Sequence, residues 1–171
     1  MAAPFVPLPS PLTPVWIRQR RNRFTVEAQL ADDGQWVMLH LPNSGRMQEL
    51  LTPGTRGLAF LEHLPQRRTS GTLYLVRYQG RWVSVDARMP NRLFARCLEL
   101  GYLPPFRAYT SWRAEVTWGR SRVDFLLTSP TDPPCLVEAK SCNLVEGDLA
   151  LFPDAPTLRG TRHLKELAEA V

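Results

Sequence analysis

Between Val15 and Val85 the chain is cut by turn-forming residues into five short apolar-rich runs, and this punctuation does most to limit what it can fold into. The runs are Arg23–Leu30, Trp36–His40, Gly57–Leu61, Thr72–Tyr78 and Trp82–Val85, with Asp32-Asp33-Gly34 and Gln79-Gly80 as turns. Short β-branched and aromatic stretches bounded by Gly and Asp are strand signals. Five in succession suit a small all-β barrel. Its one strong helical interruption is expected at Arg46–Leu51. Residues 1–14 hold five of the sixteen prolines, which predicts an extended or disordered lead-in without chemistry.

The pattern changes near Asp86. From Pro90 to Leu100 the apolar residues fall at 93, 94, 97, 98 and 100, a helical face closed by Gly101. Strands are then expected at Arg113–Trp118, Ser121–Leu127 and Leu136–Lys140, followed by a helix over Thr161–Val171. The fold class is therefore α/β in the broad α+β sense, with two domains: a lead at 1–14, a barrel at 15–85 and an α/β domain at 86–171. A sheet ending on an outer helix normally calls for another strand, so the chain reads as truncated at its C-terminus.

A formal charge of +5 favours a polyanionic partner without establishing one. Only Lys140 and Lys165 are lysines among the 21 basic residues, so a lysine beside acidic residues stands out. Cys97, Cys135 and Cys142 are odd in number and form no Cys-x-x-Cys pair, which fits reduced, mostly buried thiols. There is no signal-peptide pattern and no apolar run of the roughly 18 residues that a membrane helix needs. A cytoplasmic protein without a membrane is expected.

The residues that can do chemistry cluster late in the chain. In a strand over 121–127, Asp124 points away from Val123, Phe125 and Leu127 and shares a face with Arg122 and Leu126. Glu138 and Lys140 share a face by the same rule. If the two strands pair, two carboxylates and a lysine meet at one sheet edge. Asp124 and Glu138 would then hold Mg2+ (or Mn2+), with the Ala139 carbonyl completing the shell and Lys140 acting on the attacking water. Catalytic Asp124, Glu138 and Lys140 define a metal-dependent nuclease. The competing reading makes Glu138 and Lys140 solvent-face residues and pairs Asp124 with Arg122 or Arg120; spacing alone leaves both open. Glu99 and Glu115 are auxiliary candidates, each also readable as plain surface. Arg159, Arg162 and His163 are available to meet developing phosphate charge.

Nucleic-acid contacts are expected from Arg18, Arg20, Arg21 and Arg23, interleaved with Trp16 and Phe24, and from Arg67 and Arg68 in a loop. A solvated strand edge and an ordinary loop would look the same. Asn43, Ser44 and Arg46, around Gly45, suit an anion nest at the start of the expected helix, or a plain N-cap by Asn43 or Ser44. Arg122 completes the set.

Several segments in order carry a resemblance: Arg21-Asn-Arg-Phe24, Leu41-Pro-Asn-Ser-Gly-Arg-Met47, Pro90-Asn-Arg-Leu93, Gly119–Leu127, Val137-Glu-Ala-Lys140, Phe152-Pro-Asp-Ala-Pro-Thr-Leu-Arg-Gly160, His163-Leu164 and Glu166-Leu167. From about residue 15 onward the chain resembles the SfsA family, the sugar fermentation stimulation proteins. The resemblance implies an N-terminal OB-like five-stranded β-barrel followed by a PD-(D/E)XK nuclease-like α/β domain, incomplete at its C-terminus, acting on DNA or RNA. On that pattern Asp124, Glu138 and Lys140 match the acidic and lysine elements, Glu99 and Glu115 less closely. Asp154, Thr157, Arg159 and His163 match the family's own segment. The alternative is a non-catalytic DNA-binding regulatory protein. Two carboxylates facing a polyanion repel it unless a cation lies between, which favours the nuclease. Oligomeric state is not legible.

Overall fold

The computed structural model describes residues 3–62, 65–151 and 158–169. The chain divides into two compact units, one of Pro7–Met89 with Ser141–Asp154, the other of Met1–Val6, Pro90–Lys140 and Ala155–Val171. The units therefore are not two consecutive blocks of chain.

The first unit contains β1 (Thr13–Asn22), β2 (Thr25–Leu30), β3 (Trp36–His40), β4 (Arg56–Leu61), β5 (Gly71–Tyr78) and β6 (Arg81–Ser84). They run in the order β3-β2-β1-β4-β5-β6, and a parallel pairing of β3 with β5 at Leu39↔Gly71 and His40↔Thr72 closes β1–β5 into a five-stranded OB-type barrel. Alternation directs Val15, Ile17, Val26, Ala28, Val37, Leu39, Ala59, Leu73 and Val76 inward, where all are buried. The β3–β4 connection adds Leu41, Met47, Leu50 and Leu51 to the same core.

Two expectations about this unit are corrected. The barrel's first strand, β1, was not among the five expected runs. Register shifts at Ile17/Gln19 and Arg20/Asn22 break its alternation, and its outer positions are a run of Arg and Gln. The expected helix at Arg46–Leu51 is absent. Met47 has a left-handed backbone (φ 45°), which no right-handed helix accommodates, and the segment makes a single turn in which Leu50 and Leu51 donate to the Met47 carbonyl. A hairpin of β10 (Leu144–Glu146) and β11 (Leu149–Leu151) also belongs to this unit. Asn143 Nδ2 donates to the Ser84 carbonyl at 2.6 Å, and Arg81 meets Asp148 at 3.3 Å.

The second unit is mixed α/β. Helix α1 (Met89–Glu99) ends where Gly101 takes φ 57° and its N–H bonds the Leu98 carbonyl. A 3-10 turn at Pro104–Phe106 leads to the antiparallel sheet β7 (Ser111–Trp118), β8 (Ser121–Thr128) and β9 (Cys135–Val137), in that order. Phe125 is the centre of its core, packed against Phe94 of α1 at 5.1 Å and Trp112 of β7 at 5.7 Å between ring centroids. Helix α2 (Leu158–Ala168) begins three residues before the expected start; residues 170 and 171 lie outside the described ones. Strand β9 is shorter than expected and stops before Glu138.

Gly71 sits where β3, β4 and β5 meet, paired with both Leu39 and Leu61, and a Cβ there would lie 2.2 Å from the Phe60 carbonyl oxygen. Backbone cannot yield as a side-chain tip does. Gly71→Ala is expected to cost about 1–3 kcal/mol or more by overpacking, read as a lower urea midpoint at unchanged slope; an unaltered midpoint would refute the closure described here.

Candidate functional site

The sheet of the α/β unit sets the chemistry by its register. Strand β8 buries Val123, Phe125 and Leu127 on one face, leaving Arg122 and Asp124 on the other. Its pairing with β9 runs Leu127↔Cys135, Leu126↔Leu136 and Phe125↔Val137. One step further along that register lies Asp124 across from Glu138, and directly opposed residues of an antiparallel pair share a face. Although β9 has ended by then, the chain stays attached, because the Ala139 N–H donates to Asp124 Oδ2 at 2.8 Å. Among the described residues Asp124 forms no ion pair, so the pairing with Arg122 or Arg120 that the competing reading required does not occur there.

Glu138 is held differently. Its side chain is only 10% exposed, and the ammonium of Lys140 donates to its Oε1. A carboxylate this enclosed needs a nearby positive charge, since removing it from water costs several kcal/mol. The solvent-face reading of Glu138 fails on burial; Lys140 itself is half exposed.

The auxiliary residues fall elsewhere. Glu115 occupies the matching place on β7, between the pairs Ala114↔Phe125 and Val116↔Val123, but its backbone is left-handed (φ 57°) and its carboxylate takes Arg122 Nε at 2.7 Å. Both groups of that pair are more than half exposed, so it contributes little to stability. Glu99 is bound to Arg96 on the exposed side of α1 at 2.8 Å. Asp154 and Thr157 lie outside the described residues, as do the side chains of Arg159, Arg162 and His163, whose backbone belongs to α2. Sequence reasoning missed Glu166 on α2. Its carboxyl lies near Gly119 of the β7–β8 turn, and its Oε2 is buried without a hydrogen bond among the described residues.

The donor set available to a cation is two carboxylates and main-chain oxygen. No group of three His, Cys, Asp or Glu side chains suited to a metal forms among the described residues. That set does not match zinc, which takes four nitrogen or sulfur ligands in structural sites, but fits Mg2+, which binds through one or two carboxylates and keeps several waters.

The barrel presents the second surface. The pairs Trp16↔Arg56, Trp16↔Gln29 and Gln29↔Trp36 place Arg56, Trp16, Gln29 and Trp36 on one rung, with Trp16 45% and Trp36 52% exposed. The Arg18 guanidinium lies 5.9 Å from the Trp36 ring centre, and Arg77 lies 5.3 Å from Trp82. Trp36, Arg56, Arg77 and Trp82 were not among the expected contacts; aromatics at outward positions of alternating strands were the signal. Phe24, Arg23, Ser44, Arg46 and Arg68 are exposed. Arg21 is paired with Glu27 at 3.3 Å and Arg67 with Glu62 at 2.9 Å.

Arg20 is a different case from its neighbours. Its five N–H donors go to the carbonyls of Asn22, Arg23, Asn43, Gly45 and Arg46, so it ties β1 to the 43–46 loop and has no donor left for phosphate. Burial, and then the charge of Arg23, holds its pKa below the ordinary arginine value. The 43–46 segment does not start a helix. Asn43, itself buried, accepts the Gly45 N–H at 2.8 Å in a local turn.

An OB-type barrel with an outward aromatic and arginine row, and an α/β unit with an Asp and a Glu-Ala-Lys on one sheet edge, define a two-domain protein of the kind found among the SfsA proteins. Residues 19–85 match the SfsA N-terminal OB domain and residues 88–171 the sugar fermentation stimulation protein RE domain. A sugar fermentation stimulation protein homolog of Moorella thermoacetica is 48% identical over 163 residues, covering 95% of this chain and 69% of its own length. That of Symbiobacterium thermophilum is 46% identical over 167 residues, covering 90% and 66% respectively. The solved structure of Pyrococcus furiosus SfsA in complex with Ca2+ superposes with a TM-score of 0.84 at 29% identity, over 98% of this chain and 70% of that one. The chain belongs to the SfsA family and spans about two thirds of the length of these relatives. Among its described residues no helix is long and apolar enough to cross a membrane.

The Asp124–Ala139 bond gives a direct test. Asp124→Asn keeps an acceptor for the Ala139 N–H, whereas Asp124→Ala leaves that donor unmet, at a cost of about 1–3 kcal/mol. Urea unfolding should rank wild type and Asn together above Ala; equal loss in both variants would show that the bond does not hold the 138–140 segment.

Proposed function

We propose that this protein is a metal-dependent nuclease hydrolysing phosphodiester bonds of DNA or RNA, with Asp124, Glu138 and Lys140 as its catalytic residues. The observation that carries the reading is the register placing Asp124 across from Glu138, with Lys140 on the same carboxylate. Asp124 and Glu138 would hold Mg2+ or Mn2+, with the Ala139 carbonyl as a further oxygen. A bound divalent ion would supply a Lewis acid for the phosphoryl oxygens and acidify a water. The relative from Pyrococcus furiosus was solved with Ca2+, an ion of the same hard-oxygen preference.

The chain's own residues then divide the work. Asp124 is fixed by the Ala139 N–H, so its remaining oxygen needs no reorganisation to act as a ligand. Lys140 neutralises Glu138 in the chain alone and, beside the reacting phosphate, would orient the attacking water. The water gives up a proton to solvent as its oxygen bonds to phosphorus, one ester P–O bond breaks, and the leaving oxygen takes a proton from solvent. The barrel would grip the strand through stacking on Trp16 and Trp36 and through exposed arginines.

A non-catalytic DNA-binding role is the second reading, favoured by the barrel row, which needs no metal to bind a strand. Labelled single-stranded DNA, duplex DNA and RNA, with Mg2+ or Mn2+ against EDTA, separate the two. The nuclease reading predicts metal-dependent cleavage reduced at least 100-fold in Glu138→Gln and Lys140→Met; salt-sensitive binding without cleavage, unchanged in both variants, would transfer the function to the barrel.

A further inference from the structure

The barrel unit holds a cavity of about 470 Å³ whose lining includes Arg20, Arg46, Met47, Gln48, Thr52 and Pro53. Its walls are fixed by main-chain bonds. The Met47 carbonyl accepts from Leu50 at 3.2 Å and Leu51 at 3.1 Å, Gly54 donates to Ile17 at 2.8 Å, and the hydroxyls of Thr52 and Thr55 meet at 2.9 Å. Arg20 cannot offer this cavity a donor, because all five of its N–H groups are already spent on carbonyls. What it presents is its flat guanidinium face or its methylene stem. A guanidinium held by in-plane bonds keeps its face free for a planar ring.

The charge around the cavity points to an anion. Arg20 and Arg46 line it, and among the described residues neither forms an ion pair, in contrast to Arg21 with Glu27 nearby; the exposed Glu49 follows Gln48 but is not part of the lining. Gln48 is exposed, and its amide forms no hydrogen bond among the described residues, leaving a donor and an acceptor for a ligand edge. Met47 and Pro53 supply apolar surface.

We propose that this cavity is a nucleotide subsite, in which a base stacks on Arg20 against Met47 and Pro53, Gln48 reads its edge, and the phosphate lies by Arg46. The inference rests on nucleic acid being the ligand, and it gives the barrel a defined place for one nucleotide besides the open aromatic row.

The test is binding of a 5′-mononucleotide, ribose 5-phosphate and a short single-stranded oligonucleotide to the whole chain in EDTA, which silences metal-dependent chemistry. Thr52→Trp fills the cavity from its exposed rim, and Gln48→Ala removes the edge contact without adding bulk; thermal unfolding confirms that each is folded. The subsite predicts that the mononucleotide binds more tightly than ribose 5-phosphate. Thr52→Trp should abolish that binding and weaken the oligonucleotide about 5- to 150-fold, the worth of stacking one base, with a several-fold loss in Gln48→Ala. Equal binding of mononucleotide and ribose 5-phosphate, or unchanged binding in both variants, would overturn it. The two proposals fail separately: cleavage of short substrates with Mg2+ that survives alongside wild-type binding in Thr52→Trp removes the subsite alone. Variant-sensitive binding without any cleavage removes the nuclease alone.

Discussion

The hydrogen bond from the Ala139 N–H to Asp124 is the constraint on which the functional geometry depends. Strand β9 pairs with β8 for only three residues, and Glu138 and Lys140 lie beyond its end. Without that bond the segment would leave the sheet where Glu138 comes across from Asp124. With it, the register is carried one step further and sets a second carboxylate opposite the first. The buried side of the same strand makes the placement robust, because Val123, Phe125 and Leu127 are all buried and a one-residue slip would expose them.

The electrostatics follow from this placement. Glu138 is largely enclosed and pairs with Lys140, and among the described residues the Asp124 across from it forms no ion pair. On the barrel, Arg20 and Arg46 line the cavity at residues 46–53 with no ion pair among the described residues, and Glu49 is the one carboxylate of residues 43–53.

Much of the fold was legible because alternation and Gly-containing turns are local signals. The strands β2 to β6 lie near where the runs placed them, and α1 ends beside Gly101 as its pattern required. What was not legible has physical reasons. Bulges in β1 break the period that identifies a strand, and its outer arginines resemble a solvated loop. Met47, Leu50 and Leu51 look helical in sequence, yet they are barrel-core residues on a turn that opens with a left-handed backbone. The spacing of Asp124, Glu138 and Lys140 was visible, but whether the strands would pair in the right register was not. Nor can composition distinguish an arginine waiting for phosphate from Arg20, whose donors are consumed by five carbonyls of its own chain.

The central claim is that Asp124 and Glu138 together hold one divalent cation. Crystals soaked in Mn2+ and measured at the manganese absorption edge test it directly, because the anomalous signal locates the ion independently of any activity. The account predicts one strong peak between the Asp124 and Glu138 carboxylates, lost in Asp124→Asn. A peak bound elsewhere, or none between these residues at saturating Mn2+, would contradict it.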